Sequence, residues 1–227
     1  MMMPSSDDLS RVARSHDQAK ETYDKISRWY DLIEGVWERK LQTLGLNELA
    51  VRAGETVLEI GPGTGHVFAR LSEQAGDSGM AVGNDISLRM LGMTRKRVIA
   101  KNRPQSSNLI CGDAVALPLK SDSFDGLFMS FVLELFDTPE IPLVLKECFR
   151  VVKNGGRISI ISLSKSGGPS AMRDIYEWGH RHFPRILDCR PIFLSELISN
   201  AGFAIDQNDV KSVMRLPAEI VIARKEI

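Results

Sequence analysis

The segment Val57-Leu58-Glu59-Ile60-Gly61-Pro62-Gly63-Thr64-Gly65-His66 carries the strongest chemical signal in the chain. A short apolar run ends in glycines at alternate positions, and a helix-like stretch follows. Glycines at such a turn let the backbone reverse tightly and approach a ligand closely. The helix start behind them presents N–H groups that have no partner within the helix. The spacing is G-x-G-x-G. A dinucleotide pyrophosphate wants its third glycine one residue later, where this chain has His66. Glu59 would repel a pyrophosphate and attract a ligand bearing an ammonium and a sulfonium. Asp85 closes a second apolar run and can accept hydrogen bonds from both hydroxyls of a ribose. Asp113, in Cys111-Gly112-Asp113-Ala114, is placed to accept from an adenine amino group. Either aspartate alone also reads as a helix cap or turn former. Two of them, at the ends of successive strands behind a glycine loop, point to a nucleoside ligand.

These residues need a scaffold that brings strand ends together, and the pattern supplies one. Short apolar runs at 56–60, 80–84, 107–111, 126–131 and 157–163 read as strands. Helical stretches at 66–74, 87–100 and 139–151 separate them, the last stopped by Asn154-Gly155-Gly156. Strands alternating with crossover helices imply right-handed βαβ units and a parallel sheet. A further short helix, with Ser195 as N-cap and Gly202 as stop, precedes two strand-like runs at 203–206 and 218–223. The expected fold is therefore α/β, a doubly wound and mostly parallel sheet of seven strands. Residues 1–15 read as a disordered tail and 16–227 as one domain. Within it, Tyr23, Ile26, Tyr30, Ile33 and Trp37 recur at helical spacing and form an apolar, aromatic stripe.

Composition excludes other classes. With 29 basic and 29 acidic side chains among 227 residues, no global field gathers nucleic acid or an anionic membrane. The apolar share of 43 % and charged share of 26 % are those of a globular chain able to build its own core. Cys111, Cys148 and Cys189 are scattered and odd in number, which fits a reducing compartment and no zinc site or disulfide framework. No apolar run is long enough to cross a bilayer and no secretory h-region is present, so the expected location is the cytoplasm.

The stretches EIGPGTGH, GNDIS, CGDAVALPLKSDSFD and VVKNGGRISI together resemble the class I S-adenosylmethionine-dependent methyltransferases. TYDKISRWYD and LPLKSDSFD are similar to the ubiquinone/menaquinone-biosynthesis group among them. The resemblance implies a Rossmann-like sheet, S-adenosylmethionine as cofactor and S-adenosylhomocysteine as product. It implies that Gly61, Pro62, Gly63 and Gly65 pass beneath the methionine part, with Glu59 near its ammonium. Asp85 would hold the ribose, Ile86 and Met90 would flank the nucleoside, and Asp113 with Ala114 would hold the adenine edge. Ser130 would approach the methionine end. Tyr23 and Tyr30, on a helical lid over 16–50, would close over the cofactor; an ordinary core stripe explains them equally.

The acceptor side is less distinct. The related quinone enzymes carry an Arg-Asn pair where this chain has Glu134 and Leu135, which argues against recognition of the same quinol phenolate in the same way. Glu134 is the expected general base if the acceptor must lose a proton. A segment over 164–191 is expected to cover the acceptor, a small or lipid-like molecule, with Arg173, Tyr176, His180 and His182 facing it. His180 and His182 lack further ligands at metal-binding spacing, so no metal is expected. The aromatic stripe reads as a lid, a lipid-facing surface or a homodimer contact. Two other readings stay open at this stage, a nucleotide-cofactor oxidoreductase and a module that binds S-adenosylmethionine without turnover.

Overall fold

The computed structural model describes residues 36–101, 107–166, 190–213 and 216–226. Seven strands form one sheet: β1 (Thr56–Ile60), β2 (Met80–Asp85), β3 (Ser107–Cys111), β4 (Phe124–Ser130), β5 (Val152–Leu163), β6 (Ala204–Val213) and β7 (Leu216–Arg224). They are accompanied by α1 (Val36–Leu49), α2 (His66–Ala75), α3 (Leu88–Ala100), α4 (Ile141–Val151) and α5 (Leu194–Asn200). The strand order is β3-β2-β1-β4-β5-β7-β6. The first five strands run parallel, and β7 lies antiparallel between β5 and β6. This is the doubly wound, mostly parallel sheet expected from the alternating pattern.

Alternation along the strands sorts side chains onto two faces. Leu58, Ile60, Val82, Leu127, Met129, Ile158 and Ile160 pack with Leu145 and Cys148 of α4 and Ile198 of α5. Val57, Ala81, Phe128 and Ile161 pack with Leu46 and Leu49 of α1 and Phe68 and Leu71 of α2. Because both faces are covered, the central strands carry apolar side chains on both faces rather than one. Burying each of the Val, Leu, Ile, Phe and Met side chains among them stabilises the fold by about 1.5–3 kcal/mol.

Three local expectations are corrected. The fourth helix starts at Ile141, not Pro139, with Glu140 at its N-cap. It ends at Val151 and passes straight into β5, so Asn154-Gly155-Gly156 does not stop it. Those residues form an irregularity inside β5, where pairing with β4 jumps from Phe124↔Val152 to Gly126↔Arg157. Gly155 adopts φ 76° there, and its N–H donates to Lys225 O. Finally, Ser195 lies within α5, whose N-cap is Phe193. Residues 1–35 and 167–189 fall outside the described residues, and with them the expected tail, most of the lid, Tyr23, Tyr30, Arg173, Tyr176, His180 and His182. Among the described residues, no helix is long and apolar enough to cross a membrane.

Candidate active site

Strand order reverses at β1, which has β2 on one side and β4 on the other. The chain leaves the carboxyl ends of these strands in opposite directions, and the crevice so formed is where open α/β sheets bind ligands. The ends are level. Ile60 pairs with both Asn84 and Met129, and Asp85 pairs with Cys111. A pocket opens over them.

Its floor is the turn from β1 to α2. Gly61, Gly63 and Gly65 have φ of 68°, 54° and 83°, a left-handed backbone that side chains disfavour. Gly61 is also packed closely, since a Cβ there would stand 2.4 Å from Val132 Cγ2. A Cβ on Gly65 would stand 2.7 Å from Thr94 Cα of α3. From α3, Thr94 Oγ1 donates to Gly63 O at 2.9 Å, and Arg97 donates to Thr64 O and to Thr64 Oγ1. These bonds turn the two carbonyls toward α3. Gly65 is therefore a helix-packing glycine, and it does not line the pocket, whereas Gly61, Pro62 and Gly63 do.

The end of β2 ties the two neighbouring turns together. Asn84 O accepts from Gly61 N–H and Asp85 O accepts from Gly112 N–H. The Asp85 carboxylate accepts from Gly63 N–H at 3.3 Å through Oδ2 and from Ser87 N–H at 2.9 Å through Oδ1. These two bonds, one to each carboxylate oxygen, fix the orientation of the side chain. Asp113 caps a short 3₁₀ turn (Ala114–Ala116), its Oδ1 accepting from Val115 N–H at 3.1 Å. The cap is thus present, and the same side chain also lines the pocket. Ile86, Met90 and Ala114 line the same side.

Glu59 lies on the opposite face of β1 from Ile60 and is buried, 4 % exposed, under the pocket. Ser130 closes β4 on the same face, and its Oγ is buried with no hydrogen-bond partner among the described residues. Beyond it, Phe131 adopts φ 54°, a strained conformation for an aromatic residue worth about 1–3 kcal/mol. Phe131, Val132, Leu135 and Phe136 form an apolar wall, and Glu140 stands beyond them on the lining.

Glu134, the expected base, is not on that lining. Its side chain is fully buried, and Oε1 accepts from Leu163 N–H at 3.3 Å. The short 3₁₀ turn (Leu133–Leu135) points Leu135 into the pocket and Glu134 away from it. Arg190, also fully buried, donates to Phe136 O and Thr138 Oγ1 from behind the wall. Sequence reasoning misses the wall because an apolar run after a buried strand reads as core. It misses Asn84 as well, although a polar residue in an otherwise apolar strand is a visible signal. Gln42 of α1 also lines the pocket and leaves no signal in the pattern.

The sequence profile of the ubiE/COQ5 methyltransferase family matches residues 8–188. The chain belongs to this family. A demethylmenaquinone methyltransferase of Shouchella clausii is 31 % identical over 178 residues, covering 78 % of this chain and 73 % of that protein. One of Lactobacillus johnsonii is 32 % identical over 148 residues, covering 65 % of this chain and 58 % of that protein. The chain thus spans less than two thirds of some curated relatives' length. Among solved structures, a S-adenosylmethionine-dependent methyltransferase of Aquifex aeolicus superposes with TM-score 0.64 at 20 % identity, over 88 % of this chain and 98 % of that one. A [4+2]-cyclase, SpnF, superposes with TM-score 0.78 at 16 % identity, over 96 % of this chain and 100 % of that one. The fold is that of class I S-adenosylmethionine-dependent methyltransferases, and family membership sets aside the oxidoreductase reading. The residues present fit that cofactor: a left-handed glycine turn, acceptors for ribose and adenine, a buried carboxylate at the methionine end, and in the same cavity Ser130 Oγ with no partner among the described residues.

Proposed function

We propose that this chain binds S-adenosylmethionine over the β1, β2 and β4 ends and transfers its methyl group to a small or lipid-like acceptor. The observation that carries the reading is one cavity holding a nucleoside-binding half and an apolar wall side by side. Asp85 and Asp113 lie on one side of the glycine turn, and Phe131, Val132, Leu135 and Phe136 on the other. When bound, the cofactor supplies a methyl already activated on a positively charged sulfur. The chain then has to align and to exclude water. Asp85 and Asp113 anchor the nucleoside, Glu59 balances the ammonium through its charge, and the wall seats an apolar acceptor against the methionine end. Glu134 and Arg190 serve this reading as positioning residues that hold the wall, rather than as a base.

Leu135 takes an Asn position of the quinone enzymes and faces the pocket, which supports an acceptor recognised by its apolar surface. A prenylated quinol lacking one ring methyl is the first acceptor to test, given the relatives' names. A cytoplasmic location is part of this reading, supported by the scattered, odd-numbered cysteines. A homodimer through the aromatic stripe belongs to the same reading, and sedimentation of the purified chain checks it. The main test uses calorimetry with S-adenosylhomocysteine and methyl-labelled S-adenosylmethionine with demethylated prenyl naphthoquinols, prenyl benzoquinols and unsaturated lipids. Label is expected in an apolar-extractable product. Binding without transfer to any of them favours a non-catalytic module, and absence of S-adenosylhomocysteine binding overturns the reading.

A further inference from the structure

Asn84 stands where a core residue is expected. It is on the Val82 face of β2 and is 1 % exposed, yet it lines the pocket. Its two amide ends are used unequally. Nδ2 donates to Gly112 O at 3.0 Å. Oδ1 is buried and has no hydrogen-bond partner among the described residues. The orientation of the amide is set by chemistry, since reversing it would bring Oδ1 against the Gly112 carbonyl, acceptor to acceptor. The seat is tight as well: a Cβ on Gly112 would lie 2.9 Å from Asn84 Oδ1. A buried acceptor without a donor is costly and uncommon in folded proteins. A hydrophobic residue of similar size would occupy this site without that cost.

We infer that Asn84 Oδ1 is a further contact for the cofactor, accepting a hydrogen bond from the nucleoside half of S-adenosylmethionine directly or through one water. The placement decides which half. Asn84 lies between the Gly61 turn, bonded to its backbone carbonyl, and Gly112, which leads into Asp113. On the cofactor reading above, Glu59 and Ser130, which line the pocket from the other face of the sheet, serve the methionine end. The inference rests on the cofactor reading above and adds a residue that nothing in the sequence pattern assigned. It also explains the polar side chain in an apolar strand: an acceptor unmet by the described residues is met by the ligand.

The test is Asn84→Leu, with Asn84→Ala as a second variant that opens space instead of filling it. Binding is measured by calorimetry with two probes, S-adenosylhomocysteine and 5′-methylthioadenosine, which keeps the nucleoside and lacks the amino acid. Both variants are expected to bind both probes at least about fivefold more weakly. Melting of the ligand-free variants is expected within about 3 °C of the wild type, since the lost Nδ2 bond and the removed orphan offset each other. Affinities within twofold of the wild type overturn the inference. So does a loss confined to S-adenosylhomocysteine, or a loss accompanied by a ligand-free melting point more than about 5 °C lower, which marks a structural role. Failure of the wild type to bind either probe instead overturns the cofactor reading.

Discussion

The two ends of one sheet use the same side-chain types for different purposes. At the amino ends, charges are consumed by each other. Arg157 grips Glu55 with both terminal guanidinium nitrogens, at 3.0 and 2.7 Å, and also donates to the Leu49 and Ala50 carbonyls that close α1. Asp125 accepts from Lys153 at 2.6 Å and from Thr56 N–H at 2.9 Å. At the carboxyl ends, Asp85 and Asp113 take backbone N–H donors that orient them toward a pocket, and Asn84 Oδ1 and Ser130 Oγ stay unmet by the described residues. One end is satisfied within the fold. The other, held in reserve for a ligand on the reading proposed above, faces the crevice where α/β sheets bind ligands.

Breaking the satisfied end should cost stability and spare binding. Arg157→Met strands the Glu55 carboxylate and two carbonyls, and should lower unfolding free energy by about 3 kcal/mol in denaturant melts. Its affinity for S-adenosylhomocysteine should stay within about twofold of the wild type. An equal loss in both would erase the distinction between the ends.

Acid sharpens the same contrast. Burial opposes ionisation of Glu55 and Asp125, yet hydrogen bonds from Arg157 and Lys153 and from backbone N–H groups outweigh it and hold both carboxyls below their ordinary range. Glu147 is likewise held low, chiefly by its hydrogen bond from Arg150. Groups with depressed folded pKa stabilise fully above the unfolded values of 4.5 and 3.8, and that stability is lost as pH falls through the folded values. Melting temperature should therefore be level from about pH 7 to 5 and fall below about pH 4.5, less steeply in Arg157→Met.

At the reserved end the signs reverse. Asp85→Ala should weaken S-adenosylhomocysteine binding at least tenfold, roughly 1.4 kcal/mol, with a smaller loss of stability than Arg157→Met. At this end the smaller expected effect on binding is at Glu134→Gln, whose cofactor affinity should stay within about twofold. Its turnover should fall with no change in the shape of the pH–rate profile. A lost acidic limb would restore Glu134 as the base.

The reserved end is more legible in the sequence than the satisfied one. Glycines and carboxylates at strand ends announce themselves by type and spacing, so the turn at 61–65, Asp85 and Asp113 follow from the residues alone. Arg157 and Glu55 are far apart in the chain, and nothing local tells a paired surface charge from a solvated one. Two glycines mislead for a similar reason. Gly65 belongs to a contact between α2 and α3, and Gly155 to a break in strand pairing, both set by tertiary neighbours. The position of Glu134 after β4 suggests a place in the pocket, but a single turn of 3₁₀ helix decides which of two adjacent side chains enters it.

The seat of the Asn84 amide constrains how this chain can change over time. With only 2.9 Å between Oδ1 and the place of a Gly112 Cβ, a side chain at 112 is accommodated only if the Asn84 amide moves. Exchanging the glycine therefore requires the amide to shorten or turn. Related chains that lack the glycine should also lack the asparagine.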